Sequence, residues 1–173
     1  MYKINHWRNR MPSKPISVGP AIVAAVLALF ALGASAQALT YGAPISTENA
    51  KKAATAAIAE ARKNNWTMAV AITDPAGTLV YYERMDGVQY AAPEVAPAKA
   101  RSAALFRRAT KGFQDDVAAG GMGLRYLSLP GVVAADGGVP LVIDSRIVGA
   151  IGISGGTNVQ DGQVAVAGAA ALQ

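Results

Sequence analysis

Apolar and polar positions along this chain follow a helical period in some stretches and a strand-like period in others. From Ala50 to Ala61 small apolar residues recur at helical spacing opposite charged ones, which predicts an amphipathic helix. Ser46 or Thr47 is the predicted N-cap, and the helix is expected to end near Asn64. Further helices are predicted over 98–108, 113–119 and 159–172.

Apolar, β-rich runs between these helices predict two hairpins. The first joins 66–73 to 78–84 through an Asp-Pro-Ala-Gly turn, and the second joins 139–144 to 147–153. Residues 131–134 are predicted as a further weak strand. Because the strands come as hairpins and the helices as crossovers, we expect an α/β (α+β) single domain with an antiparallel sheet of about five strands flanked by helices.

The first 36 residues have the pattern of a secretory signal peptide. Four basic residues and no acid precede an apolar run over 18–32, and Ala34-Ser35-Ala36 fits a cleavage site, with Ala38 as the alternative. The run is shorter than the roughly 20 residues of a membrane-spanning helix. We therefore expect a signal peptide (1–36), a linker (37–45) and one domain (46–173), in a periplasmic or secreted protein with no stable membrane insertion after cleavage.

Net charge changes once this segment is set apart. The chain carries sixteen Lys and Arg against eleven Asp and Glu, a formal charge of +5. Four of the basic residues and none of the acidic ones lie in the segment, so the remainder has twelve against eleven. The sequence therefore gives no support to a nucleic-acid partner.

Two residue types that commonly carry catalysis or bind metals, cysteine and histidine, are missing from the chain after residue 36. The chain has no cysteine, and its single histidine, His6, lies in the predicted signal peptide. Residues 152–156 match the Gly-x-Ser-x-Gly pattern of serine hydrolases, but a nucleophile of that class needs a histidine base. The pattern is better explained by small residues that let the end of the strand bend and a helix approach closely. Zinc sites are disfavoured for the same reason, because their ligands are mainly Cys and His.

Tyrosine and methionine remain as ligands for haem iron. Met122 lies inside a glycine-rich loop and Tyr126 follows it, which makes both candidates for a cofactor site. Tyrosines are also ordinary packing residues with a solvated hydroxyl. Arg84, Asp86 and Lys99 lie near predicted loops, where the basic side chains are able to meet a carboxylate or a haem propionate. An ordinary turn with a surface ion pair is the alternative.

Three ordered blocks resemble one known family. They are AVAITDPAGTLVYYERMDG (69–87), AKARSAALFRRATKGFQD (98–115), and the GGVPL and VGAIGISGG segments within 129–161. Together these blocks resemble the GlcG/HbpS-like family of small haem-associated proteins. The resemblance implies a profilin- or roadblock-like fold and a homo-oligomer. The positions that match the family's recurring residues are Arg84, Asp86, Gly87, Lys99, Thr110, Pro140, Gly149, Gly155 and Asp161.

The resemblance also implies a function. Family members include exported haem-binding sensors and hemophore-like proteins, so we expect an exported small-molecule binding protein that takes haem or a related tetrapyrrole for sensing, scavenging or storage. The residue matching Thr110 has been proposed as a haem contact, although the usual preceding proline is Ala109 here. Relatives encoded beside glycolate-oxidation genes imply an alternative, an enzyme or accessory protein that acts on a small carboxylate such as glycolate through Arg84 or Lys99. Whether the protein is an enzyme stays open.

Overall fold

The computed structural model describes residues 39–173, so the predicted signal peptide (1–36) lies outside the described residues. The described chain forms five strands, four α-helices and one 3-10 helix. In order they are β1 (Thr40–Tyr41), α1 (Thr47–Lys63), β2 (Ala69–Thr73), β3 (Leu79–Arg84), α2 (Ala92–Phe106), α3 (Thr110–Ala119), the 3-10 helix (Gly121–Leu127), β4 (Gly138–Ile143), β5 (Arg146–Ser154) and α4 (Asn158–Ala170). None of the helices in this part of the chain is long and apolar enough to cross a bilayer.

Strand β5 lies at the centre of the sheet. It pairs antiparallel with β4 along one edge, and antiparallel with β2 over Ala150–Ser154 on the other. Strand β3 pairs antiparallel with β2 and forms an outer edge. Strand β1 pairs with β5 in parallel at Arg146 and Ile147. The predicted sheet of about five strands, flanked by helices, is confirmed, whereas β1 lies in the stretch predicted as a linker (37–45).

Helices cover both faces of the sheet, and the strands alternate between them. Val70 and Ile72 of β2 belong to the same buried cluster as the alanines of α1 and the apolar residues of α4. Ala69 and Ala71, the intervening residues, pack against α2. A Cβ on Gly152 of β5 would meet the carbonyl oxygen of Ala96, so α2 lies almost backbone to backbone on the sheet.

Local signals explain where most of these elements begin and end. The Ser46 side chain caps α1 by accepting from Asn49 N at 3.2 Å, as predicted. Thr157 caps α4 in a capping box with Gln160. Asp144 and Ser145 connect β4 to β5 with φ values of 49° and 60°, the left-handed conformation of a tight hairpin turn.

The start of α2 and the predicted strand over 131–134 differ from expectation. Helix α2 begins at Ala92, six residues early, and includes Pro97. Pro97 cannot donate to the preceding turn, but Ala92 and Ala96 are fully buried, and their packing holds the segment helical. Residues 131–134 form no strand. Val133 N there donates to Ser102 Oγ at 3.0 Å, so this backbone bonds to α2 rather than to the sheet.

Candidate functional site

The structure distributes the seven sequence candidates over four separate places. The candidates are Arg84, Asp86, Lys99, Thr110, Met122, Tyr126 and Gly155. Lys99 and Thr110 lie together in the interior, Met122 and Tyr126 share a surface groove, Arg84 and Asp86 share another, and Gly155 follows β5.

Lys99 forms a buried ion pair with Asp161. Lys99 Nζ lies 2.7 Å from Asp161 Oδ2, and both side chains are 3% exposed. The other carboxylate oxygen accepts from Gly156 N at 2.9 Å. Burial raises the pKa of the Asp161 carboxyl, against the opposing effect of Lys99. The pair joins α2 to the start of α4, and the ammonium group of Lys99 is directed at Asp161 rather than at solvent.

Thr110 lies beside this pair and is fully buried. Its hydroxyl oxygen accepts from Gly138 N at 2.8 Å, and the hydroxyl lies 3.4 Å from Gly138 O as a donor. A Cβ on Gly138 would lie 2.6 Å from the Thr110 methyl group and 2.5 Å from Lys99 O. Direct contact between the hydroxyl and a ligand would therefore compete with the bonds that fix α3 to β4.

Gly155 lies where the chain turns from β5 toward α4. It has a φ of 148°, and a Cβ there would meet the carbonyl oxygen of Thr67. Since the backbones approach so closely, the structure gives Gly155 a packing role at the end of the sheet.

Arg84 and Asp86 line a surface groove of about 310 Å³ together with Arg62, Glu83 and Met85. No ion pair within 4.0 Å joins any of its four charged side chains to another residue of the described chain. Arg62, Arg84 and Asp86 are exposed, whereas Glu83 is partly buried and accepts a hydrogen bond from the Tyr81 hydroxyl at 3.0 Å.

The second groove lies where α3 meets the 3-10 helix, and we call it the Met122 groove. It encloses about 270 Å³ and is lined by Asp116, Ala119, Gly120, Met122, Gly123, Arg125 and Tyr126. A Cβ on Gly123 would meet the carbonyl of Asp116, so the 3-10 helix packs closely against α3.

Apolar side chains around this groove are unusually exposed. Met122 is 77% exposed and Leu127 is 68% exposed. Leu124 and Leu129, nearby in the sequence, are also exposed. These four large apolar residues lie within eight positions of the chain, and we call them the exposed apolar patch. Groups of exposed apolar side chains are typical of ligand or partner sites.

Two arginines lie at the hydroxyl of Tyr126, and one aromatic side chain packs against its ring. Arg125 Nη2 donates to Tyr126 Oη at 3.0 Å, and Arg108 Nη1 lies 3.5 Å from the same oxygen. This hydrogen bond raises the pKa of Arg125 above its ordinary value. The ring of Tyr126 packs on Phe113 edge to face at 4.9 Å, and Arg108 also pairs with Asp116 at 3.2 Å. The phenolic oxygen thus lies beside two guanidinium groups, one of which is paired with the carboxylate of Asp116.

Neither Arg108 nor Arg125 is among the site residues predicted from the sequence. A basic residue directly before Tyr126 was a usable signal, whereas Arg108 is eighteen residues away and reaches the tyrosine only through the turn after α3. No cluster of three or more His, Cys, Asp or Glu side chains that would hold a metal ion occurs within residues 39–173.

These observations define the class of protein. It is a single-domain α/β protein with a mainly antiparallel five-stranded sheet between helices, and it has an exposed groove of Met, Tyr and Arg. The model of a family described as "Haem degrading protein HbpS-like" matches residues 45–170. The chain belongs to this HbpS-like family, which confirms the resemblance found in its sequence.

Relatives and solved structures agree with this assignment. Protein GlcG of Escherichia coli is 41% identical over 95 residues, which are 55% of this chain and 69% of GlcG. A double mutant of HbpS from Streptomyces reticuli has a TM-score of 0.70 at 29% identity, covering 82% of this chain and 96% of that one. A PduOC complex with haem has a TM-score of 0.68 at 30% identity, covering 75% and 96%.

Proposed function

We propose that this protein binds haem or a related tetrapyrrole in the Met122 groove. The observation that carries the proposal is the presence of two types of iron-ligating side chain, Met122 and Tyr126, inside an exposed apolar patch. The family description and the haem complex of PduOC support the choice of ligand.

The residues of the groove fit the chemistry of haem. The thioether of Met122 and the phenolic oxygen of Tyr126 are both known ligands of haem iron. Arg125 lies beside them and is suited to pair with a propionate, because its planar guanidinium matches a carboxylate. Leu124 and Leu127 do not line the groove, but they are exposed in the same 3-10 helix and would supply apolar surface beside it. Haem, when bound, would supply redox and ligand-binding chemistry that no side chain here provides.

A haemin titration followed in the Soret band tests the proposal. We expect a shifted Soret band at micromolar concentrations, and Met122→Asp should weaken haemin binding at least tenfold because it places a charge in the apolar patch. Val159→Asp is the matched control, since Val159 is 76% exposed on α4 outside the groove. No Soret shift in the wild type would overturn the function, and equal effects of the two variants would overturn the location.

Export and self-association belong to the same proposal. The signal-peptide pattern in residues 1–36 supports a periplasmic or secreted protein, and the exposed apolar patch supports a homo-oligomer that senses, scavenges or stores its ligand. Native mass spectrometry of the protein isolated from the periplasm reports both the bound ligand and the oligomeric state. A ligand-free monomer there would contradict both expectations.

The groove at Arg84 favours a second candidate function, the binding of a small carboxylate such as glycolate. Arg62 and Arg84 line it without an ion-pair partner among the described residues, and guanidinium groups bind carboxylates in bidentate fashion. Calorimetric titration with glycolate tests this candidate. Arg84→Gln should abolish the heat of binding and Arg146→Gln, on exposed β5 surface, should not. If the wild type does not bind glycolate, this candidate function is excluded.

A further inference from the structure

We infer that Tyr126, and not Met122, is the side chain that ligates iron in the Met122 groove, with Arg125 and Arg108 as positioning residues for its oxygen. This inference rests on the proposed function, and it assigns separate roles to the two possible ligands. It follows from how firmly the structure holds each side chain and from the charge around each donor atom.

Tyr126 is held in place by the chain itself. Its ring packs against Phe113 at 4.9 Å with an interplanar angle of 66°, and Phe113 is almost fully buried. Phe113 in turn packs edge to face on Phe106 at 5.5 Å. The ring of Tyr126 is therefore anchored through two further rings to the end of α2, so little side-chain freedom is lost when its oxygen binds a ligand.

Met122 has no comparable support. Its side chain is 77% exposed and sits between glycines in the 3-10 helix, which gives it few neighbours to fix its rotamer. A methionine side chain has three rotatable bonds, so ordering it costs more conformational entropy. We therefore assign Met122 to the apolar wall of the groove.

Charge around the donor atoms leads to the same assignment. If Tyr126 held the iron, it would do so as a phenolate, having released its phenolic proton to solvent. Arg125 donates to that oxygen at 3.0 Å, and hydrogen bonds from a guanidinium to an anionic oxygen are about twice as strong as neutral ones. Asp116 pairs with Arg108 at 3.2 Å and holds it toward the tyrosine. A neutral thioether gains nothing from two cations.

The arrangement fits ferric iron in particular. Phenolate oxygen is a hard anionic donor and occurs as the axial haem ligand in some haem enzymes. We therefore expect the resting haem complex to be ferric and to show the spectroscopic signature of a phenolate ligand, namely tyrosinate bands in its resonance Raman spectrum and a high-spin electron paramagnetic resonance signal.

Three variants loaded with haemin test the assignment. Tyr126→Phe removes the donor oxygen and keeps the ring that packs on Phe113, and Met122→Leu removes the sulfur with little change in volume. Tyr90→Phe is the matched control, because Tyr90 is 95% exposed and lies outside the groove. We expect Tyr126→Phe alone to lose the tyrosinate bands and to bind haemin at least tenfold more weakly. Circular dichroism and thermal unfolding of each variant confirm that it folds.

The outcomes separate this inference from the proposed function. If Tyr126→Phe binds haemin with an unchanged spectrum, or if Met122→Leu is the variant whose spectrum changes, the assignment is overturned while haem binding stands. If the wild type binds no haemin, the proposed function and the assignment of Tyr126 are both overturned. Arg125→Gln adds a further readout, since loss of its hydrogen bond should shift the tyrosinate bands without removing them, and unshifted bands would overturn its positioning role.

Discussion

Ala109 stands at the start of α3 in the backbone conformation that proline prefers. Its φ is −61° and its ψ is 141°, and its N–H donates no hydrogen bond to any residue of the described chain. The family's usual proline at this position is therefore replaced without a change in local shape. With alanine in place of proline, the unfolded chain has more backbone conformations available to it.

Restoring that proline should stabilise the protein. Ala109→Pro is expected to raise the free energy of unfolding by about 0.4–1 kcal/mol, because the folded conformation already suits proline and the unfolded chain has fewer states to lose. Urea denaturation measures the change. Ala98→Pro, inside α2, is the opposite control and should cost about 3 kcal/mol or more. A destabilised Ala109→Pro variant would show that residue 108 cannot accept a following proline.

At the scale of elements, the Lys99–Asp161 pair joins α2 to α4 through the interior. Breaking one side leaves a buried charge alone, so Lys99→Met should lower the free energy of unfolding by about 3–5 kcal/mol. The double variant Lys99→Met, Asp161→Asn removes both charges and keeps an acceptor for Gly156 N. We expect it to recover most of the loss, as measured by denaturant unfolding. A double variant as unstable as the single one would show that the pair itself is required.

The free energy of unfolding of the Lys99→Met variant should depend on pH. Burial raises the pKa of Asp161, so the folded state takes up a proton more readily than the unfolded state. Protonation of Asp161 therefore stabilises the folded state. This stabilisation is fully present below the usual carboxyl pKa and is lost as pH rises through the raised pKa of the folded state. Lys99→Met should therefore regain stability, relative to the double variant, as pH falls from neutral toward the ordinary pKa of a carboxyl. A constant difference across this range would contradict the prediction.

The elements show what the pattern of residues predicts and what it leaves open. Helix α1, both hairpins and the cap of α4 follow from period and capping residues. Strand β1 has only two residues and owes its pairing to β5, and the early start of α2 depends on burial of Ala92 and Ala96. Met122 and Tyr126 are predicted as site residues because their residue types carry ligand chemistry, and the structure places both in one groove. Arg108 was missed because its contact with Tyr126 exists only after the turn that follows α3.

For the whole molecule, β1 limits where the predicted signal peptide could be cleaved. Tyr41 Oη donates to Ala104 O at 2.9 Å, so residues 40–41 bind both the sheet and the end of α2. We expect cleavage after Ala36 or Ala38, which keeps both residues. The intact mass of the protein recovered from the periplasm checks this expectation. A mature N-terminus beyond Tyr41 would contradict it and should accompany a lower melting temperature.

The two faces of β5 differ in how much room they leave for side chains. Ile151 points into the cluster under α1 and α4, whereas Gly152 lies against the backbone of α2. A library that samples every amino acid at these two neighbouring positions should therefore give opposite profiles. Position 151 will accept several aliphatic residues of similar volume, and position 152 will accept glycine alone. The number of amino acids that the strand tolerates would thus differ sharply between two neighbouring positions.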